Sequence, residues 1–121
     1  MKNDDLLQLL ISANFFSGFC EVELSEIIRS PETTVNQFHK DQVIHLKNEP
    51  CHRMDVILSG RVAVLNLDEN GDMLTVNVFG AGKSVGENLL FAVNNGYPMT
   101  VVAATQVMLL QLERELVVAL C

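Results

Sequence analysis

Gly86 and Glu87 are the two neighbouring residues of this chain that are best suited to bind a ligand. They follow the turn at residues 80–82 and open a segment, residues 86–92, whose pattern predicts one or two helical turns. Backbone N–H groups at a helix N-terminus have no internal partner and attract phosphate or carboxylate, and glycine lets the anion approach. Glu87 is placed to accept a hydrogen bond from a ligand hydroxyl. A glycine turn before a helix that covers the core has the same pattern, so the pair alone is a weak signal.

Metal chemistry is the second possibility, and its candidate ligands are Cys20, Cys51, Cys121, His39, His45 and His52. Three widely spaced cysteines without a C-x-x-C predict free thiols rather than a disulfide framework, a zinc site or a four-cysteine cluster. Cys51 and His52 are adjacent but lie in a turn, where neighbours rarely converge on one metal. His39 and His45 have no partner spacing and are expected at the surface or a strand edge. We predict no metal site.

The elements that must position these residues change character at about residue 33. Before it, apolar residues at helical spacing predict short helices over residues 6–11 and 21–30, the second ended by Ser30-Pro31. After it, the pattern alternates, and strands are predicted at residues 33–38, 43–46, 54–58, 62–67, 74–79, 99–104 and 107–112. Short strands at regular spacing indicate an all-β sandwich or barrel. The Asn70-Gly71 pair predicts a tight hairpin turn.

Composition narrows the class of protein further. The chain has 121 residues, enough for one domain, with 49% hydrophobic and 19% charged residues. Its 8 basic and 15 acidic residues give a net charge of −7, so DNA phosphates would repel it. The first apolar stretch is too short for a signal peptide, and no run reaches the length of a membrane span. We therefore expect a cytoplasmic protein without a membrane partner.

Several segments together resemble the cyclic-nucleotide-binding domain of Crp/Fnr-family transcription regulators. They cover nearly the whole chain in the family's order: FFSGF at 15–19, LSEII at 24–28, ILSGRVAV at 57–64, DENG at 68–71, FGAGKSVGE at 79–87, LF at 90–91, TVVAA at 100–104 and VMLLQL at 107–112. The resemblance implies a mainly β fold, a double-stranded β-helix (jelly-roll) barrel with short flanking α-helices. The expected division is a helical lead-in at 1–32, the barrel at 33–112 and the start of a C-terminal helix at 113–121.

The resemblance also implies where a ligand lies. It would sit against the segment that begins at Gly86, with Glu87 contacting a ribose hydroxyl. The candidate binding residues are Gly86, Glu87, Asn88, Leu89, Tyr97, Pro98, Met99 and Thr100. The pocket wall would come from Val62, Val64, Val76, Val78 and Val85, which are also the positions that strand alternation is expected to turn inward. Ordinary core packing explains these valines equally well.

The chain departs from the family at the position that binds phosphate. Members that bind cyclic nucleotides have an Arg followed by Ser or Thr downstream of the Glu, and here Tyr97 and Pro98 occupy these positions. Only the guanidinium provides a bidentate clamp for the cyclic phosphate, and proline removes a backbone donor. We therefore predict that cAMP does not bind in the usual way, and that haem and metal are not cofactors. The identity of the effector is left open.

Three functions remain to be compared. The first is an effector-sensing domain of a Crp/Fnr-type regulator, which binds a small molecule, contacts DNA only through a C-terminal domain absent from this chain, and is a homodimer at full length. The second is a stand-alone jelly-roll interaction or dimerisation module with a vestigial pocket. The third, a cupin-type enzyme, needs inward His and carboxylate ligands on neighbouring strands; no such spacing, nucleophile elbow or P-loop occurs, so we predict no catalytic residues.

Overall fold

The computed structural model describes residues 3–11, 16, 18–67, 70–86 and 88–120. Within these residues lie three short helices: α1 (Asn3–Ile11), α2 (Glu21–Arg29) and α3 (Arg114–Leu120). The strands of the same residues are β1 (Thr33–Phe38), β2 (Val43–His45), β3 (Arg53–Ser59), β4 (Val62–Leu67), β5 (Met73–Phe79), β6 (Ser84–Val85), β7 (Thr100–Ala103) and β8 (Val107–Glu113). No helix in the described part of the chain is both long and apolar enough to span a membrane.

The strands form two four-stranded antiparallel sheets, in the orders β1-β8-β3-β6 and β2-β7-β4-β5. Consecutive strands of the chain therefore lie in different sheets, as in a double-stranded β-helix; the exception is β4 and β5, which are neighbours in one sheet. The predicted mainly β jelly roll with short flanking helices is confirmed. The predicted strands are all present with small changes at their ends, and β6, which has only two residues, was not predicted.

The central strands β3 and β8 are buried on both faces. One face of this sheet meets the other sheet, and helices α2 and α3 contact β1, β3 and β8. This explains why the two strands are nearly continuous apolar runs instead of alternating ones, since a strand covered on both sides has no solvent-facing positions. Asp55 and Gln111 interrupt these runs, and both side chains are buried.

Strand β5 lies at the edge of its sheet, and its orientation corrects one prediction. Val76 and Val78 were predicted to face inward, but 53% and 47% of their surface is exposed. Phe79 pairs with the buried Val62 and packs against the core, whereas Val78, in the opposite alternation phase, is exposed. Apolar residues occupy both alternation phases of this strand, and a shift of one residue exchanges the two faces.

Gly60 and Gly71 both lie in turns between strands, but only Gly60 is closely packed. Both have positive φ, 87° and 85°. A Cβ on Gly60 would lie 2.1 Å from the carbonyl oxygen of Gln106, whereas a Cβ on Gly71 meets nothing within 4 Å. The predicted two-residue turn at Asn70-Gly71 is only partly described, because residues 68 and 69 lie outside the described part of the chain.

We predict that Gly60→Ala lowers the free energy of unfolding by about 4 kcal/mol because of the backbone clash. Gly71→Ala serves as the matched control and should lower it by about 1 kcal/mol, the cost of positive φ alone. Urea unfolding followed by circular dichroism measures both values. Equal losses for the two variants would contradict this account of the Gly60 turn.

Candidate functional site

A cavity of about 390 Å³ lies between the inner faces of the two sheets, beside the edge strands β5 and β6. It is lined by Val64, Phe79, Ser84, Val85, Gly86, Asn88, Leu89, Tyr97, Pro98, Met99 and Val101. Apolar side chains make up most of this wall. None of these lining residues is Lys, Arg, Asp or Glu.

Most of the candidate binding residues come together at this cavity. Gly86, Asn88, Leu89, Tyr97, Pro98 and Met99 line it, as do two of the five candidate wall valines, Val64 and Val85. Thr100 is not among the lining residues, and its hydroxyl accepts a hydrogen bond from the Lys47 N–H at 3.3 Å. Val62 is buried in the core and also does not line the cavity. Glu87 lies outside the described residues, so its predicted contact stays a prediction.

The described residues after Gly86 form short hydrogen-bonded turns. The Gly86 carbonyl accepts hydrogen bonds from the N–H groups of Leu89 and Leu90 at 3.0 and 3.1 Å, the Leu89 carbonyl accepts from the Ala92 N–H at 3.1 Å, and no regular helix follows among the described residues. So short a segment aligns few peptide dipoles, and it therefore attracts an anion less strongly than the N-terminus of a regular helix does. Gly86 has φ 98°, and a Cβ there would lie 3.1 Å from the Tyr97 hydroxyl oxygen. Glycine is therefore favoured here, first by the positive φ and then by the close packing against Tyr97.

Tyr97 is buried at the inner end of the cavity, with only 2% of its surface exposed. Its backbone is fixed to the loop that follows β2, because its N–H donates to Glu49 O at 3.0 Å and its carbonyl accepts from Asn48 N–H at 2.7 Å. Its ring stacks on the imidazole of His45, with centroids 4.2 Å apart and an interplanar angle of 11°. Its hydroxyl has no hydrogen-bond partner among the described residues.

His45 belongs to a chain of polar side chains that crosses the interior. Asn36 Nδ2 donates to Gln111 Oε1, and Gln111 Nε2 donates to Asp55 Oδ1 at 2.9 Å. His45 Nε2 and Asp55 Oδ2 are 2.5 Å apart, and His45 Nδ1 and Glu49 Oε2 are 2.6 Å apart. His45 was expected at the surface or a strand edge. It is the last residue of the edge strand β2, but it does not lie at the surface, because only 7% of it is exposed.

The sequence contains a signal for this network that lies outside its recognisable motifs. Asp55 and Gln111 are isolated polar residues inside the apolar strands β3 and β8. A polar residue in such a strand needs a hydrogen-bond partner in the interior. Which residue supplies it depends on the pairing of strands, and the histidine comes from the opposite sheet.

The two carboxylates control the charge of His45. Burial by itself lowers the pKa of His45, but the hydrogen bonds and charges of Asp55 and then Glu49 outweigh it and raise this pKa above its ordinary value of 6.5. For Tyr97, burial raises the pKa, and the neighbouring Cys51 thiol and the Asp55 and Glu49 carboxylates add to the effect. The phenol therefore stays neutral, and none of the described residues that line the cavity carries a positive charge that a phosphate could use.

Among the described residues, no group of three or more His, Cys, Asp or Glu side chains is arranged so that it could hold a metal ion. Cys51 is buried, and its thiol donates to the Arg53 carbonyl at 3.3 Å. His52 is exposed to solvent. Cys121 lies outside the described part of the chain.

Comparisons with known proteins agree with this geometry. A model of the cyclic nucleotide-binding domain family matches residues 35–121. A search of curated proteins found no match. Among solved structures, the sensor domain of the transcriptional regulator DNR from Pseudomonas aeruginosa is similar, with a TM-score of 0.78 and 22% identity over 93% of this chain and 74% of that one.

Two kinase subunits are also similar. The regulatory subunit of a cAMP-independent protein kinase A from Trypanosoma brucei, a triple mutant bound to cAMP in the A site, has a TM-score of 0.79 and 27% identity over 93% of this chain and 40% of that one. One of its three substitutions replaces a threonine by arginine. The corresponding subunit from Trypanosoma cruzi, bound to guanosine, has a TM-score of 0.75 and 25% identity over 93% and 39% of the two chains. This chain thus spans well under half the length of these subunits.

We predict that Gln111→Leu lowers the free energy of unfolding by about 3 kcal/mol, because it leaves the buried Asp55 carboxylate with one partner fewer and Asn36 without its acceptor. Gln37→Leu makes the same chemical change at an exposed position of β1 and should alter stability by less than about 0.5 kcal/mol. Chemical denaturation at neutral pH measures both. A small effect of Gln111→Leu would contradict a structural role for the polar chain.

Proposed function

Because this chain belongs to the cyclic nucleotide-binding domain family, we propose that it is the effector-sensing domain of a Crp/Fnr-type bacterial regulator whose effector has no phosphate group. The observation that carries the proposal is the burial of Tyr97 at the end of the cavity. The resemblance described above implies that family members that bind cyclic nucleotides have arginine at this position. Similarity in fold to a transcriptional regulator's sensor domain supports the regulator assignment.

Charge is the main argument against a cyclic nucleotide. A phosphate in this cavity would lose its hydration, and no Lys or Arg among the lining residues replaces it. An unpaired buried charge costs several kcal/mol, enough to remove useful affinity. The carboxylates of Asp55 and Glu49 behind Tyr97 leave the polar chain with a net negative charge even when His45 is protonated, which adds repulsion.

The cavity favours an uncharged ligand with an aromatic ring, and we propose a purine nucleoside. Its volume of about 390 Å³ and its wall of Val64, Phe79, Val85 and Leu89 suit a flat apolar ring. Glu87 would contact a ribose hydroxyl. The guanosine complex of the Trypanosoma cruzi subunit supports a nucleoside in this fold. The cAMP complex of the arginine-containing Trypanosoma brucei mutant supports the link between arginine and phosphate.

The proposal also includes the division of the chain into segments and the partners of the full-length regulator. Residues 1–32 are a helical lead-in, 33–112 the barrel and 113–121 the start of a C-terminal helix. A basic C-terminal domain would contact DNA in a cytoplasmic homodimer, which also accounts for the acidity of this domain. The domain binds its effector and does not catalyse a reaction.

An interaction module with a vestigial pocket is the alternative. The observation in its favour is the apolar edge strand β5, where Leu74, Val76 and Val78 are about half exposed. Exposed edge strands are common sites of pairing between chains. A chain that binds no nucleoside but associates with itself through β5 would support this alternative.

We predict that guanosine binds this chain at least about tenfold more tightly than cAMP or cGMP, because only the nucleotides bring an uncompensated charge. Isothermal titration calorimetry measures the affinities. Val64→Phe should fill the cavity and weaken guanosine binding by about tenfold or more. The control, Val78→Phe, adds the same ring on the outer face of the adjacent strand and should leave binding unchanged. Tight cAMP binding by the unaltered chain would refute the proposal.

The missing arginine can also be restored. We predict that the double variant Tyr97→Arg, Pro98→Ser binds cAMP at least about tenfold more tightly than Tyr97→Lys, Pro98→Ser, because only arginine forms the bidentate clamp. Thermal unfolding of both variants confirms that they are folded before calorimetry. Equal cAMP binding by the two variants would show that charge alone, and not the clamp, controls phosphate recognition here.

A further inference from the structure

The stack of Tyr97 on His45 separates two cavities of the barrel. Tyr97 lines the ligand cavity beside β5 and β6. His45 lines a second, wide cleft of about 620 Å³ at the opposite edge of the sandwich, beside β1 and β2. Glu49 lies in the same cleft, and its side chain is 41% exposed. Protons from solvent therefore have access to the Nδ1 side of His45, while Tyr97 faces the ligand.

The imidazolium ion is the one form of His45 that satisfies both of its neighbours. With two N–H groups, the ring donates to Asp55 and to Glu49 at once. Neutral imidazole has one N–H and one lone pair, so it donates to only one carboxylate and its other nitrogen repels the second. Asp55 is 1% exposed and is held by Gln111, whereas Glu49 has access to water. Loss of the proton therefore releases Glu49 and keeps the bond to Asp55.

Loss of the His45 proton acts on Tyr97 in two ways, through the release of Glu49 and through the loss of the positive charge. The Tyr97 N–H donates to the backbone carbonyl of Glu49, and Pro50 pairs with Gly96 in the same short ladder. Movement of Glu49 thus loosens the loop that fixes the Tyr97 backbone. The charge of the imidazolium also strengthens its stack with the phenol ring through a cation–π attraction, which the neutral ring lacks.

From these contacts we infer that His45 is a positioning residue, which in its protonated form holds Tyr97 as the end wall of the ligand cavity and releases it when the proton is lost. The consequence for ligand affinity rests on the proposed function, whereas the movement of Tyr97 does not. Because the pKa of His45 is raised on folding, its stabilising contribution is complete below the ordinary value of 6.5 and is lost as the pH rises through the raised value.

The groups that face His45 define what else could titrate. Among the described residues they are Asp55 from β3, Glu49 from the loop after β2 and Tyr97 from the loop before β7. The Cys51 thiol lies behind Tyr97, and His52 and Arg53 line the outer cleft. Burial raises the pKa of Tyr97, so the phenol does not ionise in the range of interest. Cys51→Ser removes the thiol as an alternative cause of a pH effect.

The chain offers a direct probe, because Tyr97 is its one tyrosine and it has no tryptophan. Tyrosine fluorescence of the ligand-free protein, followed from about pH 6 to about pH 9, therefore reports on the stack. We expect one transition, absent in His45→Gln and shifted to lower pH in Asp55→Asn, since removal of the carboxylate weakens the hold on the proton. The control His39→Gln, at an exposed histidine, should leave the transition unchanged. A flat signal, or the same transition in His45→Gln, would overturn the inference.

Calorimetry with guanosine at the same pH values tests the consequence for binding. We expect the affinity to fall by about tenfold between about pH 6 and about pH 9 with the fluorescence midpoint, and to be independent of pH in His45→Gln. Tyr97→Phe keeps the stacked ring and should keep this pH dependence, whereas Tyr97→Leu should lose it. If guanosine does not bind at any pH, the proposed function is refuted. The fluorescence titration still tests whether the protonation of His45 controls the position of Tyr97. A pH-independent affinity beside a fluorescence transition would refute the link to binding.

Discussion

The hydrogen bond between His45 and Asp55 connects the two sheets of this barrel in its buried interior. Asp55 belongs to the β1-β8-β3-β6 sheet and His45 to the other sheet, and the two side chains are 2.5 Å apart with little exposure. A buried carboxylate is tolerated only when it is paired and hydrogen-bonded. Gln111 provides its second partner. The position of β2 against β3 therefore depends on this contact.

Tyr97 transmits the same constraint to the ligand cavity. Its ring lies flat on His45, and its backbone pairs with the loop that carries Glu49. Gly86 packs so closely on the hydroxyl that no larger residue fits there without displacement. The end of the cavity is thus built from an aromatic ring backed by a charged pair. On the functions proposed above, a site built in this way would exclude anions and accept an uncharged ring, and the shape of its wall would depend on one proton.

Buried charged pairs seldom stabilise a core more than apolar residues of similar volume would. Here the pair contributes by fixing how the strands are aligned. The chain from Asn36 to Glu49 allows one register of β1, β8, β3 and β2, since a shift by one residue would leave Asp55 or Gln111 without a partner. The same requirement for complete hydrogen bonding makes the network sensitive to the loss of a proton.

The sequence by itself determined the class of fold, the order of the helices and strands, and most of the residues that line the cavity beside β5 and β6, because alternation, turn residues and glycine spacing are local properties. It also led to the prediction that Tyr97 stands where family members that bind cyclic nucleotides have arginine. Only the tertiary structure decided that Val78 faces solvent, because an edge strand with apolar residues in both phases leaves the phase open until its partner is known. The role of His45 was equally hidden, since its partners lie on other strands and its burial arises only when the two sheets close on each other.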